Sequence, residues 1–513
     1  MLEFFKLPLP RAVLACVALA SLAALEILTS ARVGADTAAP TLRNPGRWRG
    51  NAYIRDDGLL PFQLCNADKA FPGPRRSAAI FSQDGREYRA VLTAASVWGE
   101  SLPQGQPLRA DAIELLIFFF EAGKSCPYTS DPPHCVLPPV SPRIACQMMD
   151  RSWHSGSIKT HQSVAVVRCP VGLNTVLPDS FDVKLALGDR ADVLRADQEG
   201  ANAGSDKGVL SASICYEHVE VVDDLVICTC PHYFDETSAY WHGVPAYPGG
   251  STLLEAFLLH NLYVVNASRL AMYDLESNMQ TRLSPFLAAG GKVKYRANWA
   301  LRDELPMISF VTEEETLLPH QPRLTGVSGK REMFYAFEAQ AEATCAWEHR
   351  IRARWFQILH GVDNFLMPMC FGCNVTSVLA RVDAAAISEI RVPTVEAFSP
   401  SYYAFLDRLN VMQRFRLIAE THFLARDGRQ TPIGNPRHFD ESWIHDLTGK
   451  RVTARGAIHE SASLELGLHS VHIMALSRPE RDTHTGIADE WFAEAGQRLA
   501  RLLQVWEAGN FQA

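Results

Sequence analysis

The sequence predicts an α/β fold preceded by a β-rich N-terminal domain and an N-terminal transmembrane anchor. Three observations carry that reading. The apolar span "AVLACVALASLAALEIL" (Ala12–Leu28) stands near the start of the chain. Turn-rich strand signals fill residues 51–205, and strand and helix signals alternate from residue 206 to the end at 513. The 513 residues suffice for two or three domains around a large core. A net charge of −8 offers no basic face for nucleic acid.

Residues 1–11 read as a short cytoplasmic tail carrying Lys6 and Arg11, and residues 12–30 as a signal anchor. This span of 17 residues, interrupted only by Glu26, sits at the lower edge of what crosses a bilayer. A signal peptide cleaved after Val33-Gly-Ala35 is the alternative, since it obeys the small-x-small rule. Both readings send the chain into the secretory pathway. Asn266-Ala-Ser268 and Asn374-Val-Thr376 are N-glycan acceptor sequons and agree with that route. Of the twelve cysteines, all but Cys16 lie beyond the apolar span, so an oxidising lumen would pair some of them. Cys126, Cys135 and Cys146 suggest a stapled loop, while Cys228-Thr-Cys230 and Cys370-Phe-Gly-Cys373 read as core thiols or disulfide halves.

Residues 31–50 form a polar, Pro- and Gly-bearing stem. In residues 51–205, "RAVLTAASVW", "AIELLIFFFEA" and "SVAVVRC" are strand signals. "DQEGANAGSDKG" (Asp197–Gly208) reads as a linker, which puts the domain boundary at 205/206. Beyond it, "DLVICTC", "SRLAMYD", "KVKYRANW" and "WFQIL" are strands. "STLLEAFLLHNL", "LESNMQTRLSPFLAAGG" and "MFYAFEAQAEATCAWEHRIRAR" are helices between them. Such alternation predicts a mostly parallel sheet with right-handed crossovers. Ligands of such sheets bind beyond the carboxyl ends of the strands.

The elbow "HGVDN" (His360–Asn364) stands at one such end. Two acids spaced i, i+2 around a turn can share a hard cation, and here only Asp363 is present, with Gly361 two residues before it. The other reading is an Asp that caps a turn. His260 on "LLEAFLLH" reads as a core histidine before a catalytic one.

The segment from about Asp224 to His472 resembles glycosyltransferase family 92. Cys228, then Glu255 and His260 in "LLEAFLLH", then Tyr273-Asp274 stand in the family's order. Gln340, Cys345, Arg350, Trp355, "GVDNF" and Gly467-Leu468-His469 follow. The resemblance implies a GT-A-type, Rossmann-like domain over residues 206–513. The implied activity is transfer of a hexose, galactose first, from a UDP-sugar to a glycan acceptor with inversion, by a single-pass type II protein of the Golgi membrane. It implies Asp363 as the surviving elbow acid and His469 as its partner on Mn2+, with Asp274, Arg350 and Asn364 at the donor. Gly361 and Asn364 stand where the family has Asp and Glu, which implies a loosely held cation, basic side chains in its place, or an inactive protein that binds glycans or partners. The general base of an inverting transfer is normally a carboxylate, and Glu460 is the candidate by position. A hydrolase has no support, because the chain contains no G-x-S-x-G elbow.

Overall fold

The computed structural model describes residues 59–65, 78–100, 109–121, 126–127, 142–149, 152–161, 164–196, 208–219, 222–229, 253–273, 280–288, 291–296, 308–309, 338–359, 362, 364–368, 370, 372–382, 384, 387–398, 417–418, 430–443, 446–450, 457–459, 466, 468–474 and 490–508. The anchor, the stem and the Asp197–Lys207 stretch lie outside these residues. Among the described residues, no helix is long and apolar enough to cross a membrane.

The first twelve strands are β1 (Leu59–Leu60), β2 (Phe62–Leu64), β3 (Ala78–Gln83), β4 (Arg86–Glu100), β5 (Arg109–Glu121), β6 (Cys126–Pro127), β7 (Ile144–Gln147), β8 (Trp153–Ser155), β9 (Ser157–His161), β10 (Val164–Val176), β11 (Ser180–Leu187) and β12 (Val209–Tyr216). Ten of them form two path sheets, β1-β4-β5-β10-β9 and β2-β12-β11-β7-β8, with β3 added beside β4. Every pairing described within these two sheets is antiparallel. Their facing sides share one core that includes Leu92, Val97, Ile113, Ile117, Val167, Val183 and Leu210. Pairing in the second sheet continues to Tyr216, past residue 205.

β5 carries the apolar run Leu115–Phe120 because both of its faces are covered. Ile113, Leu115 and Ile117 enter the core between the two sheets. Leu116 turns the other way and packs with Ala343 and Trp347 of a helix, Glu338–Glu348. The hydroxyl of Thr344 on that helix bonds that of Thr93 on β4 at 3.1 Å.

The second half contributes β13 (Asp223–Thr229), β14 (Arg269–Tyr273), β15 (Val293–Arg296), β16 (Ile308–Ser309), β17 (Ala353–Leu359), β18 (Asn364–Pro368), β19 (Ile387–Phe398), β20 (Leu417–Ile418), β21 (Gln430–Gly434), β22 (Phe439–Trp443), β23 (Asp446–Lys450), β24 (Ala457–His459) and β25 (Leu468–Met474). The helices in chain order are α1 (Asp189–Ala196), α2 (Leu253–Leu259), α3 (Gln280–Ala288), α4 (Glu338–Glu348), α5 (Val375–Leu379) and α6 (Glu490–Glu507). A π-helical turn, His260–Val264, continues α2. The large sheet has the order β15-β14-β13-β17-β21-β19-β25-β18, with β20 and β24 beside β19.

The expected α/β, Rossmann-like GT-A architecture is corrected here. Strand accounts for 55% of the structure against 25% helix, and the sheets are curled and largely antiparallel. The physical reason lies beyond residue 359. Strand–helix alternation places β15, β14, β13 and β17 in parallel. After that, β21 runs antiparallel to both β17 and β19, and β18 antiparallel to β25. A parallel pair needs a long crossover, usually helical, whereas an antiparallel neighbour does not. Beyond residue 359 the sheet is therefore mixed, since β19 also runs parallel to β24 and β25.

One side of the large sheet is covered by α2, the π turn and α6. Leu225, Ile227, Trp355, Phe257, Leu258, Leu262, Leu499 and Leu503 meet there. The other side carries α4, tied to β13 by the Cys228–Cys345 disulfide. Three further disulfides are Cys65–Cys215, Cys146–Cys169 and Cys370–Cys373. Cys146 therefore bonds Cys169 on β10 and takes no part in a staple with Cys126 or Cys135.

Candidate functional site

The parallel strands define the site. In the order β15-β14-β13-β17, the chain moves outward from β13 through β14 to β15, then returns to the far side of β13 as β17. The direction of travel reverses between β13 and β17. Their carboxyl ends diverge there, and ligands of open parallel sheets collect at such a switch point. Thr229 ends β13 and Leu359 ends β17, directly opposite each other in register. In the sequence, the segment His360–Asp363 follows Leu359 directly.

Two buried polar side chains lie on these two strands near the switch point. Gln357 is 0% exposed in the middle of an apolar strand, and neither amide atom has a partner among the described residues. Thr229 is 2% exposed, and its hydroxyl likewise has none. The register pairs Ile227 with Gln357 and Thr229 with Leu359, so both polar residues point to the same face of adjacent strands. An unpaired buried donor or acceptor costs about 1–3 kcal/mol. Such groups persist in native structures where they meet water or a ligand. Sequence reasoning did not nominate either residue. Their signal was a polar residue interrupting "LVICT" and "WFQIL".

On the opposite face, Tyr273 and Arg296 end β14 and β15. The Tyr273 hydroxyl donates to Glu348 Oε2 at 2.8 Å, and Arg296 Nη2 meets the same oxygen at 2.8 Å. The carboxylate at the end of α4 is thereby clasped from two strands.

The residues nominated from the sequence fare differently. Asp363, Asp274 and Glu460 lie outside the described residues, as do Gly361 and His360. Asn364 is 6% exposed and opens β18, immediately after the elbow. Arg350 is 1% exposed and stands on structural duty. Its Nε donates to the Pro436 carbonyl at 3.2 Å, Nη1 to Ser96 Oγ at 3.1 Å and Nη2 to the Phe439 carbonyl. The guanidinium also stacks 3.6 Å from the Trp347 ring. It joins the end of α4 to β4 and to the turn before β22.

The register of β25 bears on the cation. His469 lies opposite Met367, whereas His472 lies opposite Asn364. Met367 is three residues beyond Asn364, about 10 Å along a strand. A Mn2+ ion holds oxygen and imidazole ligands at only about 2 Å. In the backbone register, His472 thus lies between Asn364 of β18 and Glu396 of β19. Among the described residues, no group of three metal-ligating side chains converges.

His260 is fully buried in the π turn, its ring 5.2 Å from that of Phe365 on β18. Nε2 lies 2.9 Å from the Leu366 carbonyl, and Nδ1 has no partner among the described residues. A carbonyl accepts only, so Nε2 carries the proton. Burial lowers the pKa from 6.5 to about 4, against the Leu366 bond, which raises it; the charge of Arg498 lowers it further.

Both sequon asparagines are accounted for. Asn266 is exposed, with φ +64, a left-handed conformation that asparagine tolerates. Asn374 caps α5, its side chain accepting from the Ser377 amide at 2.7 Å. The two sequons touch, since Thr376 Oγ1 donates to the Asn266 carbonyl at 2.7 Å.

Compared with protein-family models and with curated proteins, the chain matches none.

Proposed function

We propose that this chain transfers a hexose, galactose first, from a UDP-sugar to a glycan acceptor in the Golgi lumen, held there as a single-pass type II protein by residues 12–30. The observation that supports the reading is the switch point between β13 and β17, where Thr229 and Gln357 are buried with no partner among the described residues. The four disulfides support an oxidising compartment.

In this reading the donor lies across the ends of β13 and β17. Gln357 and Thr229 supply hydrogen bonds to its polar edge. Asp363 orients the nucleotide sugar, and Asp274 and Asn364 border the donor. The acceptor hydroxyl oxygen attacks the anomeric carbon as the bond to the diphosphate breaks. Glu460 takes the hydroxyl proton, UDP leaves, and the anomeric centre inverts. Arg350, committed to the fold, has no part. Asp363 and His469 remain the candidates to hold a manganese ion, and no step here passes through it.

A second reading, a glycan-binding protein without transfer, is favoured by Gly361, which leaves the elbow with a single acid. Release of UDP by the purified lumenal part separates the two. UDP-galactose is offered with and without acceptor glycans, and with and without manganese. Acceptor-dependent UDP release is expected. Glycan binding with no release above buffer, from any UDP-hexose, would establish the second reading.

A further inference from the structure

We propose that Cys370–Cys373 is a thiol–disulfide exchange site, at which a thiolate of a small thiol or of a protein dithiol opens the bond reversibly. Its short loop sets this pair apart from the other three disulfides among the described residues, and its exposure from two of them. It closes a loop with a sequence separation of 3, against 23, 117 and 150 for the others. A disulfide restrains the unfolded chain less as its loop shortens, so this one adds least to the fold. Both of its cysteines are half-buried at the surface, whereas Cys146, Cys169, Cys228 and Cys345 are at most 1% exposed. Access and a small structural role are what labile disulfides have in common.

The loop is also prepared for the open form. Gly372 between the sulfurs has φ +70, and nothing lies within 4 Å of a Cβ built there. Cys373 Sγ lies 3.2 Å from the Cys370 carbonyl oxygen, so the thiol formed on opening finds an acceptor in place. Arg498 Nη1 donates to the Cys373 carbonyl at 3.1 Å, which sets positive charge beside that cysteine and favours its thiolate as the leaving group. The Gly372 amide donates to Glu494 at 3.0 Å. Two side chains of α6 thus hold the loop while its sulfurs change.

The step balances as an ordinary exchange. An incoming thiolate attacks Cys370 Sγ, the bond between the sulfurs breaks, and Cys373 leaves as a thiolate that takes up a proton. A second thiolate then attacks the mixed disulfide. It frees Cys370 and departs as the oxidised partner, carrying away the two-electron difference. The site lies between β18 and α5, directly before Asn374 of the second sequon.

The test is differential alkylation of the folded lumenal part, read by mass spectrometry. One arm holds the protein in a graded glutathione buffer, and a second supplies a reduced protein dithiol of the thioredoxin class. Cys370 and Cys373 should be reduced together, at least tenfold faster than Cys146–Cys169, Cys228–Cys345 or Cys65–Cys215, with the melting curve little changed. The arm that acts at the lower thiol concentration identifies the source. Replacing Arg498 by Gln should slow the opening several-fold. Cys373→Ser should trap a mixed disulfide on Cys370 even if the Arg498 variant folds poorly. Reduction of this pair only together with the others, or only upon unfolding, would overturn the proposal.

Discussion

Acidification should destabilise the fold through His260, and the structure fixes both sign and size. The perturbation is a fall in pH from 7.5 to 5, applied to the native chain and to His260→Gln. The unfolded histidine binds a proton near pH 6.5, the folded one only near pH 4. Between those values the unfolded state holds more protons, so stability rises with pH. The contribution is complete above pH 6.5 and is lost as pH falls toward 4. The full span of 2.5 pH units, 6.5 less 4, corresponds to about 3 kcal/mol at 1.36 kcal/mol each. At pH 5 the proton-binding ratio is (1 + 10^1.5)/(1 + 10^−1), roughly 30, which is already about 2 kcal/mol. The cause is geometric. A second proton would go on Nδ1, which is buried without an acceptor among the described residues, with the charge of Arg498 acting against it. Glutamine keeps a donor for the Leu366 carbonyl and does not titrate. Urea melts of both proteins at pH 7.5, 6.0 and 5.0 give the difference directly. The gap between them should close by about 2 kcal/mol at the lowest pH. A gap constant within about 0.5 kcal/mol would refute the assignment of a neutral, Nε2-protonated His260.

Three further outcomes are expected. Arg350→Met should cost about 3 kcal/mol in a urea melt, since it strips charged donors from Ser96, Pro436 and Phe439, while UDP release per folded molecule is unchanged. Gln357→Leu should leave the melting curve level or raise it, because an unpaired buried amide is removed. It should still lower UDP release, and a loss of stability instead would place a hidden partner on the amide. Asp363→Ala should reduce transfer by on the order of 10²–10³ with the far-UV circular dichroism intact, and Gly361→Asp should sharpen dependence on manganese. Equal rates in native protein, both variants and EDTA would make the elbow an ordinary turn.

What the sequence disclosed was mostly local. "DLVICT", "RLAMY" and "ARWFQIL" carry β-branched and apolar runs long enough to be read as β13, β14 and β17. The partners of those strands could not be read. β19, β21 and β25 join the same sheet from segments rich in charge and histidine, where no alternation marks a buried face. Helix α6 could have been found, because Ala495, Leu499 and Leu503 recur every four residues and all are buried. Disulfide partners depend on distance in space, so the neighbours Cys126, Cys135 and Cys146 suggested a pairing that Cys169 takes instead. The site showed the same division. The elbow was visible as a polar break after a strand. Which histidine lies opposite Asn364 depended on a register between β18 and β25 that no single-strand pattern encodes.

That register joins three features otherwise far apart in the chain. β18 begins at the elbow with Asn364, carries Phe365 and Leu366 against His260, and ends two residues before Cys370. Arg498 of α6 reaches both sides of this strand's surroundings. Its Nη1 donates to the Cys373 carbonyl, and its Nη2 to the Tyr263 carbonyl in the π turn at 3.4 Å. A π turn inside a helix is a costly insertion that tends to mark functional sites. Here it sets His260 against the strand that leaves the elbow. Protonating His260 and opening the Cys370–Cys373 bond would act on opposite ends of the same five-residue strand. Both should loosen the hold of α6 before they disturb the disulfide-tied α4 on the other face. Amide exchange would show this as early opening of residues 364–373 and 490–507 at pH 5 or under thiol, with Glu338–Glu348 still protected. Exchange that began in α4 would mean that the two faces of the sheet open as one unit.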